Sequence, residues 1–78
     1  MYMLEKVEKI FREVMELDDD MELNDEMNSD NVEEWDSLAS MSLVLQLEKE
    51  FGIKFEFDDV LQMDSLGAIK KVTAGKVQ

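Results

Sequence analysis

Ser37 is the side chain with chemistry to offer. It stands in Trp35-Asp36-Ser37-Leu38, which closes a long acidic stretch and opens an apolar run from Leu38 to Phe51. The chain has no His and no Cys, so it supplies no general base near neutral pH. From Glu13 to Glu48 there are thirteen Asp or Glu and not one Lys or Arg. A serine in that setting is a poor attacking group. It reads as a hydroxyl that another enzyme modifies, and the chain reads as a non-enzyme.

The elements around Ser37 follow from periodicity. Leu4, Val7, Phe11 and Val14, with Ile10 and Met15 beside them, predict an amphipathic helix over Met3 to Leu17. Glu5-Lys9 and Glu8-Arg12 are favourably ordered i,i+4 pairs on its wet side. Ser37 to Phe51 predicts a second helix, started by an N-cap type of residue and stopped by Gly52. Its apolar positions are Leu38, Met41, Leu43, Val44, Leu45, Leu47 and Phe51, a wider stripe than packing on a core requires. Ile53 to Phe57 alternates like a strand but has no partner strand, so a loop with buried anchors is expected. Asp58 to Met63 predicts a short third helix capped by Asp58. Ser65 to Lys76 predicts a fourth, with Leu66, Ile69 and Val72 inward. The expected fold is all-α, a small antiparallel four-helix bundle of three main helices and a short third, with a long first loop.

That loop, from Asp18 to Asp36, is long for so small a domain, and such segments are often functional. Leu23, Met27, Val32 and Trp35 are spaced to pin it to the core. It fails as a calcium loop. Counted from Asp18, the Gly and Glu positions hold Leu23 and Ser29; counted from Asp20, they hold Asp25 and Asn31. No metal site is expected, only weak attraction of divalent ions.

Composition sets the remaining bounds. The 78 residues form one expected domain, residues 1–78, with 45% hydrophobic residues for a core. A net charge of −12 argues against nucleic acid and against anionic membrane surfaces, and for partners with basic patches. The apolar runs fall far short of the roughly 20 residues that span a bilayer. Met1 to Lys6 lacks the apolar region of a signal peptide, and a cytoplasmic monomer is expected. The seven Met read as adaptable core filler.

Asp36-Ser37-Leu38 has a near copy in Asp64-Ser65-Leu66. Either serine suits a helix N-cap, worth about 1 kcal/mol. Ser65, followed by Gly67 and Lys70-Lys71, is read as a cap alone. Ser37, after the long loop and before the widest apolar helix, is read as the modification site.

With these features in place the chain resembles the freestanding acyl carrier proteins over nearly its whole length. The resemblance rests on Asp36-Ser37-Leu38 at the start of helix two, Leu47-Glu48-Lys49-Glu50-Phe51-Gly52-Ile53 at its end, and Ser65-Leu66-Gly67 at helix four. It implies that Ser37 carries 4′-phosphopantetheine, donated by coenzyme A through a phosphopantetheinyl transferase, and that acyl groups ride on the arm's thiol as thioesters. It implies a recognition face for the transferase and acyl-processing enzymes made by Asp36, Leu38, Met41, Leu45 and Glu48. It also implies an acyl pocket, for which Leu47, Phe55, Val60, Leu61 and Met63 are the candidates. Ser42 and Lys49 stand where carriers of fatty acid synthesis often have acids, Phe55-Glu56-Phe57 replaces an Ile-Pro-Asp type of segment, and Trp35 precedes the motif as in some specialised carriers. These departures point to a dedicated pathway. An aminoacyl or peptidyl carrier using the same serine, and an unmodified acidic adaptor, are the alternatives.

Overall fold

The computed structural model describes residues 2–77. Among them there are four helices and no strand: α1 (Tyr2–Met15), α2 (Ser37–Phe51), α3 (Phe57–Gln62) and α4 (Leu66–Val77). α1 packs on α2, and α4 closes against α1 and α3. Among the described residues no helix is long and apolar enough to cross a membrane.

Hydrophobic periodicity becomes a single core. Val7, Ile10, Phe11 and Met15 of α1 meet Leu43 and Leu47 of α2 and Leu66 and Ile69 of α4, all buried. Fully burying a side chain of this size contributes about 1.5–3 kcal/mol, so these contacts dominate the fold's stability. The alternating segment after Gly52 forms no strand. Ile53 and Phe55 are half-buried, and Phe57 turns outward to begin α3.

The helix ends follow different chemistry from that expected. Gly52 does stop α2: it sits at φ 63°, a left-handed conformation glycine tolerates, and its N–H donates to the Glu48 carbonyl. α3 is capped by Glu56 rather than Asp58. The Glu56 side chain accepts from the backbone of Asp59, while the Asp59 carboxylate accepts the Glu56 N–H at 2.7 Å, a reciprocal capping box.

The long loop is docked as a wall of the bundle. Met27, Val32 and Trp35 are buried and Leu23 packs against them. Its backbone binds the start of α4: Leu66 N–H donates to the Met27 carbonyl and Gly67 N–H to the Asp25 carbonyl, both at 2.9 Å. Gly67 is required by that approach, because a Cβ there would lie 2.9 Å from Asp25 Cβ.

Among the described residues neither i,i+4 pair expected on α1 forms an ion pair, and Glu8 is engaged by Lys70 of α4 instead. Lys70 bridges Glu8 and Asp25, each at 2.8 Å. Burial pulls the Lys70 pKa down, but its hydrogen bonds to Asp25 and Glu8 outweigh that and leave it raised. Arg12 donates to the Met21 carbonyl at 2.8 Å, holding the first turn of the loop. Lys76 meets Asp59 at 2.7 Å, joining α4 to α3.

Candidate functional site

The two Asp-Ser-Leu copies fold in different registers. In the first, Asp36 is the N-cap, and its carboxylate accepts the Ala39 N–H at 2.8 Å. Ser37 is thereby displaced from the cap it was expected to form and becomes the first helical residue. It is exposed, and its hydroxyl takes part in none of the side-chain hydrogen bonds among the described residues. In the second copy the serine itself caps: Ser65 Oγ accepts the Ala68 N–H at 3.1 Å. The leucines diverge with the serines. Leu38 is 76% exposed, whereas Leu66 is fully buried beneath the docked loop.

The surroundings of Ser37 combine the positive end of a helix with acidic side chains, Glu33, Glu34 and Asp36. Ser40 N–H donates to the Asp36 carbonyl and Ala39 N–H to the Asp36 carboxylate. The N–H groups of Ser37 and Leu38 precede the helical ladder, as the first donors of every helix do, and add to the positive end of the helix dipole. No histidine or cysteine is available. The nearest basic residue on α2, Lys49, lies about 18 Å along the helix at 1.5 Å per residue. The site offers an exposed hydroxyl on the first turn of a helix, in an acidic surround, and no base.

Trp35 fixes the entry to this helix. Its side chain is buried and meets the Phe11 ring edge-to-face at a centroid distance of 5.3 Å. Its indole Nε1–H donates to Ser40 Oγ at 2.8 Å. One rigid side chain thus joins the loop, the core of α1 and the first turn of α2 around Ser37. Sequence patterning assigns Ser40 no role. Its one legible signal is its place one helical turn after Ser37.

The expected recognition residues are brought together in part. Leu38, Met41 and Leu45 are 76%, 66% and 62% exposed and lie along one side of α2. Asp36 stands at its head, engaged as the cap. Glu48 is half-buried, and its carboxylate accepts the Phe55 N–H at 2.8 Å, which ties α2 to the following loop. Phe57 and Leu61 of α3, 76% and 62% exposed, add apolar surface that periodicity had not singled out for recognition.

The expected pocket residues are scattered. A cavity of about 100 Å³ lies beneath α2, walled by Trp35, Ser40, Leu43 and Ile69 and closed by Val60 and Met63. Val60 also lines an outer apolar groove of about 270 Å³ with Ser40, Met41, Val44 and Leu45. Leu47 is fully buried within the core, and Phe55 and Leu61 line neither space. A larger depression of about 580 Å³ between α3 and α4 lies away from Ser37 and touches none of the expected residues. Among the described residues no group of three or more acids is placed to hold a metal ion.

The family model described as the phosphopantetheine attachment site matches residues 5–72. No curated protein sequence matches the chain. The structure is similar to that of a holo acyl carrier protein from Geobacter metallireducens, with TM-score 0.85 and 28% identity over 99% of this chain and 87% of that one. It shares its fold with a Mycobacterium tuberculosis protein assigned as an acyl carrier protein, with TM-score 0.82 and 22% identity over 94% of this chain and 96% of that one. It also shares its fold with a chain of the ishigamide ketosynthase/chain length factor structure, with TM-score 0.73 and 24% identity over 95% of this chain and 92% of that one. With a match over most of its length and this four-helix architecture, the chain belongs to the phosphopantetheine attachment-site family, as an acyl carrier protein and not an enzyme.

Proposed function

We propose that Ser37 Oγ carries the 4′-phosphopantetheine, and that the chain passes acyl groups, as thioesters on that arm, among enzymes of a dedicated biosynthetic pathway. The observation that carries this reading is the register difference: Ser37 is exposed with an unengaged hydroxyl, while Ser65 is held as a cap. The residues fit the group. A phosphodiester on Ser37 would sit at the N-terminal turn of α2, where the helix dipole would offset part of the repulsion from the neighbouring carboxylates. When bound, the group supplies the thiol that a chain without Cys lacks.

The chain's own part is to present and orient. Asp36 sets the first turn, Trp35 anchors its approach, and Ser37 projects from a rigid helix rather than a mobile loop. The base that takes the Ser37 proton comes from the transferase. Leu38, Met41 and Leu45 form the apolar patch on which the transferase and acyl-handling enzymes dock, with basic groups on the partner facing the acidic surround. A cytoplasmic monomer meeting these enzymes one at a time accords with the −12 charge, which disfavours self-association. Ser42 and Lys49 on α2 depart from the acidic pattern of carriers of fatty acid synthesis and support a dedicated set of partners.

Peptide mapping tests the assignment. With no Lys or Arg from Glu13 to Glu48, trypsin leaves Ser37 in the peptide ending at Lys49 and Ser65 in the one from Phe55 to Lys70. After treatment with coenzyme A and a transferase, fragmentation is expected to place the added group on Ser37. The added group on the Phe55 to Lys70 peptide overturns the assignment.

A further inference from the structure

The cavity beneath α2 is small, rigid on one side and polar at one point. Its volume of about 100 Å³ equals the room of about three waters. The wall nearest the start of α2 is the Trp35 indole, clamped by its edge contact with Phe11. The polar point is Ser40 Oγ, which accepts the indole N–H at 2.8 Å. No hydrogen bond among the described residues uses the Ser40 O–H as a donor, although the side chain is half-buried. The rest of the lining is aliphatic or thioether, with no charged residue.

Ser40, Val44 and Val60 line both this cavity and the outer groove of about 270 Å³. The two spaces therefore share a threshold. Ser40 is one turn from Ser37, about 4.5 Å along the helix axis. The arm starts one turn from this threshold, and folding back along α2 would bring its acylated end to Ser40, the one side chain there with a proton to donate.

We propose that this cavity selects the cargo: a short, uncharged acyl chain of a few carbons bearing a hydrogen-bond-accepting oxygen, which receives the Ser40 O–H. The inference rests on Ser37 as the attachment site. A saturated chain fills the same volume but leaves the hydroxyl unpaired as it is desolvated, a cost of the kind that makes polar sites discriminate strongly. A cationic aminoacyl chain has no carboxylate to meet it there, and burying an unpaired ammonium is costly. Ser40 is on this account a specificity-determining residue, and Trp35 positions it.

The test uses three coenzyme A thioesters differing at one position: butyryl, 3-hydroxybutyryl and 3-aminobutyryl. Each is transferred by a phosphopantetheinyl transferase, and loading is confirmed first by intact mass with Ser37→Ala as the blank. Failure there rejects the attachment site, whereas loaded protein that does not respond rejects the cavity proposal. The single Trp gives one indole N–H cross-peak. Relative to the protein carrying the bare arm, that peak is expected to move several-fold more with 3-hydroxybutyryl than with the other two. Ser40→Ala is expected to remove the difference between 3-hydroxybutyryl and butyryl. The Leu43 and Ile69 methyl signals of the unmutated chain report the same ranking, so the result does not hang on the folding of the variant. Equal movement with butyryl, a larger response to 3-aminobutyryl, or an unchanged preference in folded Ser40→Ala overturns the proposal.

Discussion

The Asp36 carboxylate accepts the Ala39 N–H at 2.8 Å, and that bond decides what the next residue is free to do. Because Asp36 caps α2, Ser37 does not. Asp36→Ala is expected to destabilise the protein by about 1 kcal/mol, the usual cost of a lost cap. Ser65→Ala removes the cap of α4 and carries a similar cost, whereas Ser37→Ala stays within about 0.5 kcal/mol, as surface changes do. Urea denaturation of the three variants checks the ranking. A larger loss for Ser37→Ala than for Asp36→Ala contradicts the cap assignment.

Gly67 and Gly75 sit in the same helix with opposite surroundings. A Cβ on Gly67 meets Asp25 Cβ at 2.9 Å and the Asp25 carbonyl oxygen at 3.1 Å, while one on Gly75 meets nothing within 4 Å. Gly67→Ala is expected to destabilise by roughly 1–3 kcal/mol through overpacking, and to speed hydrogen exchange at the Leu66 and Gly67 amides. Gly75→Ala is expected to stabilise by about 0.5–1 kcal/mol, the helix-propensity gain. The same sign for both variants contradicts the docking of the loop on α4.

Met41 is 66% exposed, so Met41→Glu is expected to leave stability within about 0.5 kcal/mol. Priming by a transferase is nevertheless expected to slow, because the apolar anchor sets the lifetime of the complex. Steady-state priming rates alongside thermal melts separate the two effects. Unchanged priming by the folded variant moves the docking surface elsewhere, with the exposed Phe57 and Leu61 of α3 next to be tested.

The ion pairs of Lys76 and Lys70 predict opposite pH limits. The Lys76 ammonium, and then the Glu56 N–H, hold the Asp59 carboxyl below its ordinary 3.8. A lowered carboxyl contributes stability that is present above pH 3.8 and lost as pH falls through the folded value. The Lys70 pKa is raised above 10.5 by its carboxylate partners against the pull of burial, so its contribution is present below that pH and lost as pH rises through the raised value. Backbone shifts of α3 followed in acid are expected to show a step absent from Asp59→Asn. Alkaline unfolding is expected to lose part of its pH dependence in Lys70→Met. Variants indistinguishable from the parent contradict the assigned pairs.

Much of this was legible in the residues. The run from Ser37 to Phe51 with Gly52 behind it gives α2 with the bounds observed, because an apolar stripe and a left-handed stop are both local signals. Met27, Val32 and Trp35 could be read as anchors because isolated apolar side chains in an acidic loop have little other use. Contacts between segments distant in sequence were not legible. Lys70 meets partners 45 and 62 residues away, a pairing no i,i+4 rule contains. Glu48 looked like a free rim acid, and only the fold shows its carboxylate taking the Phe55 N–H. The cap of α2 was misassigned by one residue because Asp36 and Ser37 are both good cap types, and the choice depends on backbone angles. The cavity depends on how the side chains of three helices and Trp35 meet, which periodicity does not describe.

The central claim is that Ser37 alone of the two motif serines carries the arm. Intact mass after incubation with coenzyme A and a phosphopantetheinyl transferase tests it most directly, on Ser37→Ala and Ser65→Ala side by side, with circular dichroism showing both folded. The account predicts no added mass on Ser37→Ala and one added 4′-phosphopantetheine on Ser65→Ala. A labelled Ser37→Ala, or a folded Ser65→Ala that fails to label, contradicts it.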